Sequence, residues 1–306
     1  MDKETVFISA VVYSRNNADA VVSFTRALAA HFDENFANYE IIVVDDCSAA
    51  DVREELRAVS ADSSGSLSVV RMSFPQGKQS AMNAGIDVAI GDFVFEFESA
   101  VMDFDVSLIN EVYRKELEGY DIVSAVPSKG TKLSSKLFYR IYNKNSNSQY
   151  PLSSERFRLV SRRAINRVES MSDTLVYRKA FYSGSGLKCA SVCYTPKRSA
   201  PSDSLPRERS RLATDSFVLF TSVAHKLSLF MTILMMFFAA FSGIYTLVIY
   251  ILGKPTEGWT TLMLLLSFAF FGVFALLTIV IKYLSVLLDI TFKKNRYSIE
   301  NVYRMD

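Results

Sequence analysis

The run Ile41-Ile42-Val43-Val44-Asp45-Asp46-Cys47-Ser48 narrows the folds open to this chain more than any other segment. Consecutive large aliphatic residues without alternation cannot leave one face in water, so the run reads as a strand buried on both faces, as in a parallel sheet covered by helices. The two carboxylates that close it put a ligand site at the carboxyl edge of that strand, where such sheets bind their ligands.

The surrounding sequence keeps the same rhythm. Val6–Val12 reads as a first strand, Ser14-Arg15-Asn16-Asn17 as a polar loop, and Val21, Phe24 and Leu28 as one face of a helix. A charged helical stretch from Ala50 to Val59 leads to a strand over Leu67–Met72. Gln76–Ile86 is a glycine-bearing turn into a short helix, and Gly91–Glu98 a fourth strand. Strands alternating with helices predict βαβ units and therefore an α/β, Rossmann-like domain with a mostly parallel sheet, here over residues 1–212.

The rest of the chain is different. No charged residue occurs from Leu227 to Leu252 or from Trp259 to Ile281, and each run exceeds the roughly 20 apolar residues that cross a bilayer. Buried core helices would need a second large domain that the remaining residues do not supply. With Gly253–Gly258 as a tight turn, residues 227–289 are expected to form a transmembrane hairpin, preceded by a juxtamembrane segment, 213–226, and followed by a cytoplasmic tail, 290–306. Lys197, Arg198, Arg207, Arg209, Arg211 and Lys226 precede the first span, and Lys282, Lys293, Lys294 and Arg296 follow the second, against Lys254 alone in the turn. This bias puts the sheet domain and both termini on the cytoplasmic side of the inner membrane.

Met1-Asp2-Lys3-Glu4 runs directly into a strand rather than an apolar leader, so no signal peptide is expected. Cys47, Cys189 and Cys193, with His31 and His225, fit neither a disulfide framework nor zinc spacing. Thr214–Lys226 reads either as an interfacial helix or as one packed on the sheet domain. Arg198–Arg211, rich in Pro, Ser and Arg, reads as a linker near anionic lipid or phosphate. Asn143–Gln149 reads as a mobile loop over the site or a plain surface loop. Ala239, Ala240, Ser242, Gly243 and Gly272 suit close helix packing within or between protomers. No nucleic-acid partner is expected.

In order and spacing, Asp45-Asp46-x-Ser48, Gly77-Lys78-Gln79-Ser80-Ala81-Met82-Asn83-Ala84-Gly85, Gly91-Asp92, Phe157-Arg158-Leu159-Val160-Ser161-Arg162-Arg163 and the C-terminal hairpin resemble family 2 glycosyltransferases of the polyprenyl-phosphate type. The resemblance covers nearly the whole chain. It implies a GT-A fold that takes a sugar from a nucleotide-sugar donor and places it on polyprenyl phosphate at the cytoplasmic face of the bilayer, in cell-envelope polysaccharide assembly. It also implies homo-oligomers, since similar proteins form tetramers. By the same resemblance, Ser14, Asn16, Asp45, Asp46 and Lys78 hold the donor, and Arg162, Lys197 and Arg198 the acceptor phosphate. The catalytic positions fall on Glu98, Glu155 and Arg158. Asp46-x-Ser48 is also expected to cap the following helix.

The chain departs from the family pattern at three places. The Asp-x-Asp that holds Mg²⁺ or Mn²⁺ is here Glu98-Ser99-Ala100, which leaves Glu98 as a metal ligand with Asp103, and Asp105 behind it, as replacements in a weakened site. Glu96 shares a sheet face with Glu98 by alternation. The Gly-Asp before the next strand is Glu155-Arg156, which reverses a charge and shifts the acceptor-side carboxylate to Glu155. Polyprenyl phosphate is already a nucleophile at neutral pH, so the loss of a base costs less than the loss of a metal ligand. After Tyr194, Lys197 and Arg198 match the family's phosphate-gripping segment loosely. Two readings follow: an active membrane glycosyltransferase, or a degenerate relative acting as a binding or scaffold subunit of a glycan-assembly complex. A transport role is disfavoured by spans without intramembrane charge.

Overall fold

The structure is a computed structural model that describes residues 3–129, 133–145, 150–171, 177–197, 230–231, 234–235, 237–238, 241, 259–292 and 297–305. The chain divides into two compact units, Met1–Ala213 with Lys293–Asp306, and Thr214–Phe292.

The first unit is built on one sheet of eight strands among the described residues. These are β1 (Glu4–Ser14), β2 (Phe36–Asp45), β3 (Ser66–Met72), β4 (Phe93–Phe97), β5 (Ile122–Pro127), β6 (Phe157–Ser161), β7 (Cys189–Tyr194) and β8 (Ile299–Arg304), in spatial order β7-β5-β6-β4-β1-β2-β3-β8. Adjacent pairs are parallel except those made by β6 and β8, which run antiparallel to their neighbours. This is the Rossmann-like, mostly parallel α/β arrangement expected from the sequence. The helices are α1 (Ala18–Asn35), α2 (Arg53–Ala61), α3 (Lys78–Val88), α4 (Ser107–Leu117), α5 (Leu133–Asn145), α6 (Arg162–Met171) and α7 (Arg178–Gly184).

Helices cover both faces because both faces are apolar. Along β1, Ile8, Ala10 and Val12 enter one core with Phe24, Leu28 and Phe32 of α1. Val11 and Tyr13 enter the other with Ala81, Ala84 and Ile86 of α3. Each buried Val, Ile or Phe contributes about 1.5–3 kcal/mol, so together these two layers provide most of the drive to fold. β1 lies between β2 and β4. The chain crosses to one side of β1 for β2 and β3 and to the other for β4, and the carboxyl ends of β1 and β4 frame the crevice at this switch point.

The segment read as a tail does something else. Residues Ile299–Arg304 return to the first unit and pair antiparallel with β3, from Ser68↔Arg304 to Met72↔Ile299. The second unit contains α8 (Trp259–Phe292). Within that unit Gly272 packs against the Met235 side chain, leaving no room for a Cβ, so the two apolar segments touch there. Over the described residues no helix is long and apolar enough to cross a membrane. The juxtamembrane segment 213–226, the linker Arg198–Arg211 and most of the first apolar run lie outside the described residues.

Candidate active site

β2 delivers Asp45 and Asp46 to the carboxyl edge, and both carboxylates are occupied by the backbone. Asp45 Oδ1 accepts the Ser48 N–H at 3.0 Å. Asp46 is fully buried; it accepts the N–H groups of Gln76 at 2.7 Å and Gly77 at 3.1 Å, and the Tyr13 hydroxyl at 3.2 Å. Arg15 approaches it to 3.7 Å. Asp46 thereby ties the end of β2 to the turn that starts α3. Gly77 adopts φ 85° in that turn, a conformation glycine takes without strain. The capping role expected of Asp46-x-Ser48 is not observed: α2 starts later, at Arg53, and Asp51 Oδ1 accepts the Arg53 N–H.

Around the same edge, Ser14 Oγ donates to Asn17 Oδ1 at 2.8 Å, and the Asn16 N–H donates to Ser48 Oγ at 2.9 Å. Asn16 and Cys47 both have left-handed backbones, φ 52° and 55°, which Asn tolerates well and Cys poorly. Lys78, the first residue of α3, lies over the Tyr13 ring at 5.4 Å. The expected donor residues Ser14, Asn16, Asp45, Asp46 and Lys78 therefore do converge.

The main polar feature crosses the sheet. Register places Glu96 of β4 beside Arg158 of β6, Arg158 beside Ser124 of β5, and Ser124 beside Ser191 of β7, a polar row in an otherwise apolar face. Arg158 is 2% exposed and collects three carboxylates. Glu96 Oε2 lies 3.4 Å from its Nη1, Glu155 Oε1 lies 3.1 Å from its Nε, and Glu98 accepts a short hydrogen bond from its Nη2. The contacts to Glu96 and Glu155 are too poorly angled for hydrogen bonds, so Nε and Nη1 keep unused donor capacity.

α7 adds three residues that sequence reasoning did not find. Lys179 lies 3.4 Å from Glu155 Oε1 and donates to the Ser153 carbonyl. Tyr182 donates to Glu96 and accepts from Arg178 Nη1 at 3.1 Å. Arg178 also donates to Asn83 at 3.0 Å, and its buried Nη2 has no hydrogen-bond partner among the described residues. A cavity of about 190 Å³ beside the cluster is lined by Tyr150, Ser153, Glu155, Arg158, Lys179 and Ser191, among others.

The electrostatics follow from burial and neighbours. Burial drives the Glu96 carboxyl upward against the pull of Arg158 and Arg178. Glu98 goes the other way: burial opposes its ionisation, but Arg158, Lys78 and Lys179 together hold it below the usual carboxylate range. Burial would lower Arg158, yet Glu155, Glu96 and Glu98 raise it well above the normal guanidinium value. Lys179 is likewise raised, chiefly by Glu155, against burial.

Several expectations need correction. Arg162, expected at the acceptor phosphate, lies at the opposite edge because β6 runs antiparallel to β4. It caps the end of α3, donating to the Ala89 carbonyl at 2.7 Å and from Nε to the Gly91 carbonyl at 3.0 Å. Arg163 pairs with Asp121 at 2.7 Å at that same edge. Arg156 does not leave a reversed charge: it grips buried Asp103 with Nε at 2.9 Å and Nη2 at 2.5 Å, and Tyr194 donates to Asp103 at 3.0 Å. Asp103 is thus spoken for and not a metal ligand. Glu155 is a buried partner of two cations rather than an open acceptor-side carboxylate. Lys197 is on the carboxyl edge, paired with Asp105 at 2.8 Å; Arg198 lies outside the described residues. Asn143 belongs to α5, and its amide clamps Leu152 at 2.8 and 2.9 Å, while residues 146–149 lie outside the described residues.

The divalent cation implied by the resemblance was tested against this donor set. Glu98 is 31% exposed but bonded to Arg158, Ala100 offers a methyl, and Asp103 is held by Arg156. Among the described residues no group of three or more His, Cys, Asp or Glu side chains could hold a metal. These residues do not fit the ion.

The mostly parallel, Rossmann-like sheet thus gathers the expected donor residues and a charged cluster toward its carboxyl edge. Residues 9–118 match the model of Glycosyl transferase family 2. It is 26% identical over 196 residues to the "Uncharacterized glycosyltransferase sll0501" of Synechocystis sp., covering 62% of this chain and 61% of the relative. To the "Uncharacterized glycosyltransferase YkcC" of Bacillus subtilis it is 25% identical, over 90% of this chain and 87% of the relative. To the "Prophage bactoprenol glucosyl transferase homolog" of Escherichia coli it is 26% identical, over 61% of this chain and 62% of the relative. The chain spans less than two thirds of the first and third of these relatives. Among solved structures, glucosyl-3-phosphoglycerate synthase from Mycobacterium tuberculosis, in complex with Mn²⁺, UDP-glucose and phosphoglyceric acid, is 14% identical with a TM-score of 0.49, covering 70% of this chain and 78% of that one. The mannosyltransferase PcManGT from Pyrobaculum calidifontis, in complex with GDP-mannose and Mn²⁺, is 14% identical with a TM-score of 0.47, covering 93% and 89%.

Proposed function

We propose that the protein is a membrane-anchored glycosyltransferase that moves a sugar from a nucleotide-sugar donor to polyprenyl phosphate at the cytoplasmic face of the inner membrane. The observation that carries this reading is the convergence of Lys78, Glu98, Arg158 and Lys179 at the carboxyl end of β4, next to the donor-type residues of a family 2 domain. The name of the bactoprenol relative supports the acceptor class. Membrane anchoring is supported by the charge-free runs and by the exposed apolar side chains of α8, Phe270, Phe271, Phe274 and Ile281 among them. The chain leaves the first unit at Ala213 and rejoins it at Lys293, which suits an even number of crossings.

In this reading Asp45, Ser14 and Asn16 orient the nucleoside, an orienting rather than a chemical role. The acceptor phosphate needs little deprotonation, so its oxygen attacks the anomeric carbon without a dedicated base. Lys197, on the exposed carboxyl edge, suits the acceptor headgroup. Self-association of the apolar unit belongs to the same proposal.

A second reading is favoured by one observation: Glu98, the carboxylate left at the triplet, is ion-paired with Arg158. A degenerate donor-binding or scaffold subunit would look like this. Incubating the full chain in lipid with undecaprenyl phosphate and labelled UDP- and GDP-sugars separates the two. Transfer from at least one donor is expected, and Lys78→Met is expected to lower kcat/KM by about a hundredfold, the scale of one lost electrostatic contact at a developing charge. Nucleotide binding without transfer from any donor would establish the scaffold reading.

A further inference from the structure

The mismatch between this donor set and a divalent cation has a counterpart in the charges that are present. Where a metal would sit against Glu98, the structure places Arg158, with Lys78 and Lys179 close enough to shift its titration. Four cations, Arg158, Arg178, Lys179 and Lys78, meet three carboxylates, Glu96, Glu98 and Glu155, so the cluster carries a surplus of positive charge. Arg158 lines the cavity, and its buried Nε and Nη1, like the buried Arg178 Nη2, make no hydrogen bond among the described residues. The carboxylates beside Arg158 leave these donors without a well-aligned acceptor, and the planar fork of a guanidinium matches phosphate oxygens.

We propose, resting on the donor-binding reading above, that the site holds the diphosphate of its nucleotide donor without a divalent cation, with Lys78, Arg158 and Lys179 supplying the positive charge. During transfer the bond between the anomeric carbon and the diphosphate oxygen breaks with its electron pair going to that oxygen. An acceptor phosphate oxygen supplies the pair for the new bond. The charge left on the nucleoside diphosphate is then neutralised by side chains already in place, at no cost in reorganisation. Lys78 meets it from the first turn of α3, where the helix dipole adds in the same sense.

The test is calorimetric titration of UDP and GDP into the full chain in lipid nanodiscs, first with EDTA and then with Mn²⁺, a readout independent of turnover. The Kd of the better nucleotide is expected to agree within about threefold between the two conditions. In EDTA, Lys78→Met is expected to weaken binding at least about tenfold, equal to about 1.4 kcal/mol. Lys179→Met serves as a second variant, checked for folding by its thermal transition. Tightening of tenfold or more by Mn²⁺ would overturn metal-free binding and leave the transferase reading standing. Metal-independent binding that neither variant weakens would overturn the assignment of the cations. No nucleotide binding in either condition would remove the donor reading and this inference together.

Discussion

Asp46 holds more of the site's shape than any other side chain at the carboxyl edge, because it is the acceptor for two turn N–H groups and a phenol. Replacing it by Ala removes the acceptor of the Gln76 and Gly77 N–H groups, at about 1–3 kcal/mol for each one that water cannot reach. Asp46→Ala is therefore expected to lower the unfolding free energy of the full chain in detergent by about 2–4 kcal/mol, measured by chemical denaturation. A loss under about 0.5 kcal/mol would mean that the turn reorganises around the gap. At this scale the sequence was informative where chemistry and strand direction agree. Asp45, Asp46 and Glu98 end strands parallel to β1, and their position at the site follows from that alone. Arg162 was misplaced because nothing local reveals that β6 runs antiparallel, which sends the residue after it to the far edge. Arg178, Lys179 and Tyr182 come from a short helix remote in sequence, with no spacing that signals a shared site.

Elements show the same division. β1, β2, β3 and β4 and the helices between them were legible from apolar runs and period, because each is buried by its immediate successors. The entry of β6 between β4 and β5, and of β8 beside β3, depends on pairings far apart in the chain and was not legible. α4 illustrates how an element end sets chemistry. Glu116 lies in its last turn, nearly buried, and burial first, then Asp121, push its carboxyl up to about 7 from the usual 4.5. The negative end of the helix dipole acts in the same direction. The folded chain thus holds a proton there that the unfolded chain has released, and stability falls as pH rises from about 4.5 to about 7. Glu116→Gln is expected to flatten that part of the profile, read as thermal midpoints across the window. An unchanged slope would assign the decline to other groups.

At the scale of the whole molecule, the two charge-free runs set the reading of the chain's second half, and the structure adds that the chain before Thr214 and after Phe292 belongs to one unit, the sheet unit. If the proposed topology holds, Cys193, exposed on β7, reacts with a membrane-impermeant maleimide in intact spheroplasts only after permeabilisation. A cysteine introduced by Thr256→Cys, with the native cysteines replaced, is expected to react without it. Labelling of both before permeabilisation, or of neither, would refute a hairpin with an inside domain.

The pairing of β3 with β8 also has a consequence in time. Met72 meets Ile299, so the sheet's outer edge is supplied by a strand made only after the apolar segments have been synthesised. At roughly 5–20 residues per second, the nascent sheet carries β3 as a bare edge for tens of seconds. During that interval Gln76 has yet to gain the contacts it will exchange with Ser298, at 2.7 and 2.8 Å. The turn that opens α3 is therefore secured last. Under the membrane-anchored reading proposed above, a ribosome delivering this chain hands its hydrophobic stretches to the bilayer before the turn at Gln76 is fastened, so the site would mature only on a polypeptide that has already reached its membrane.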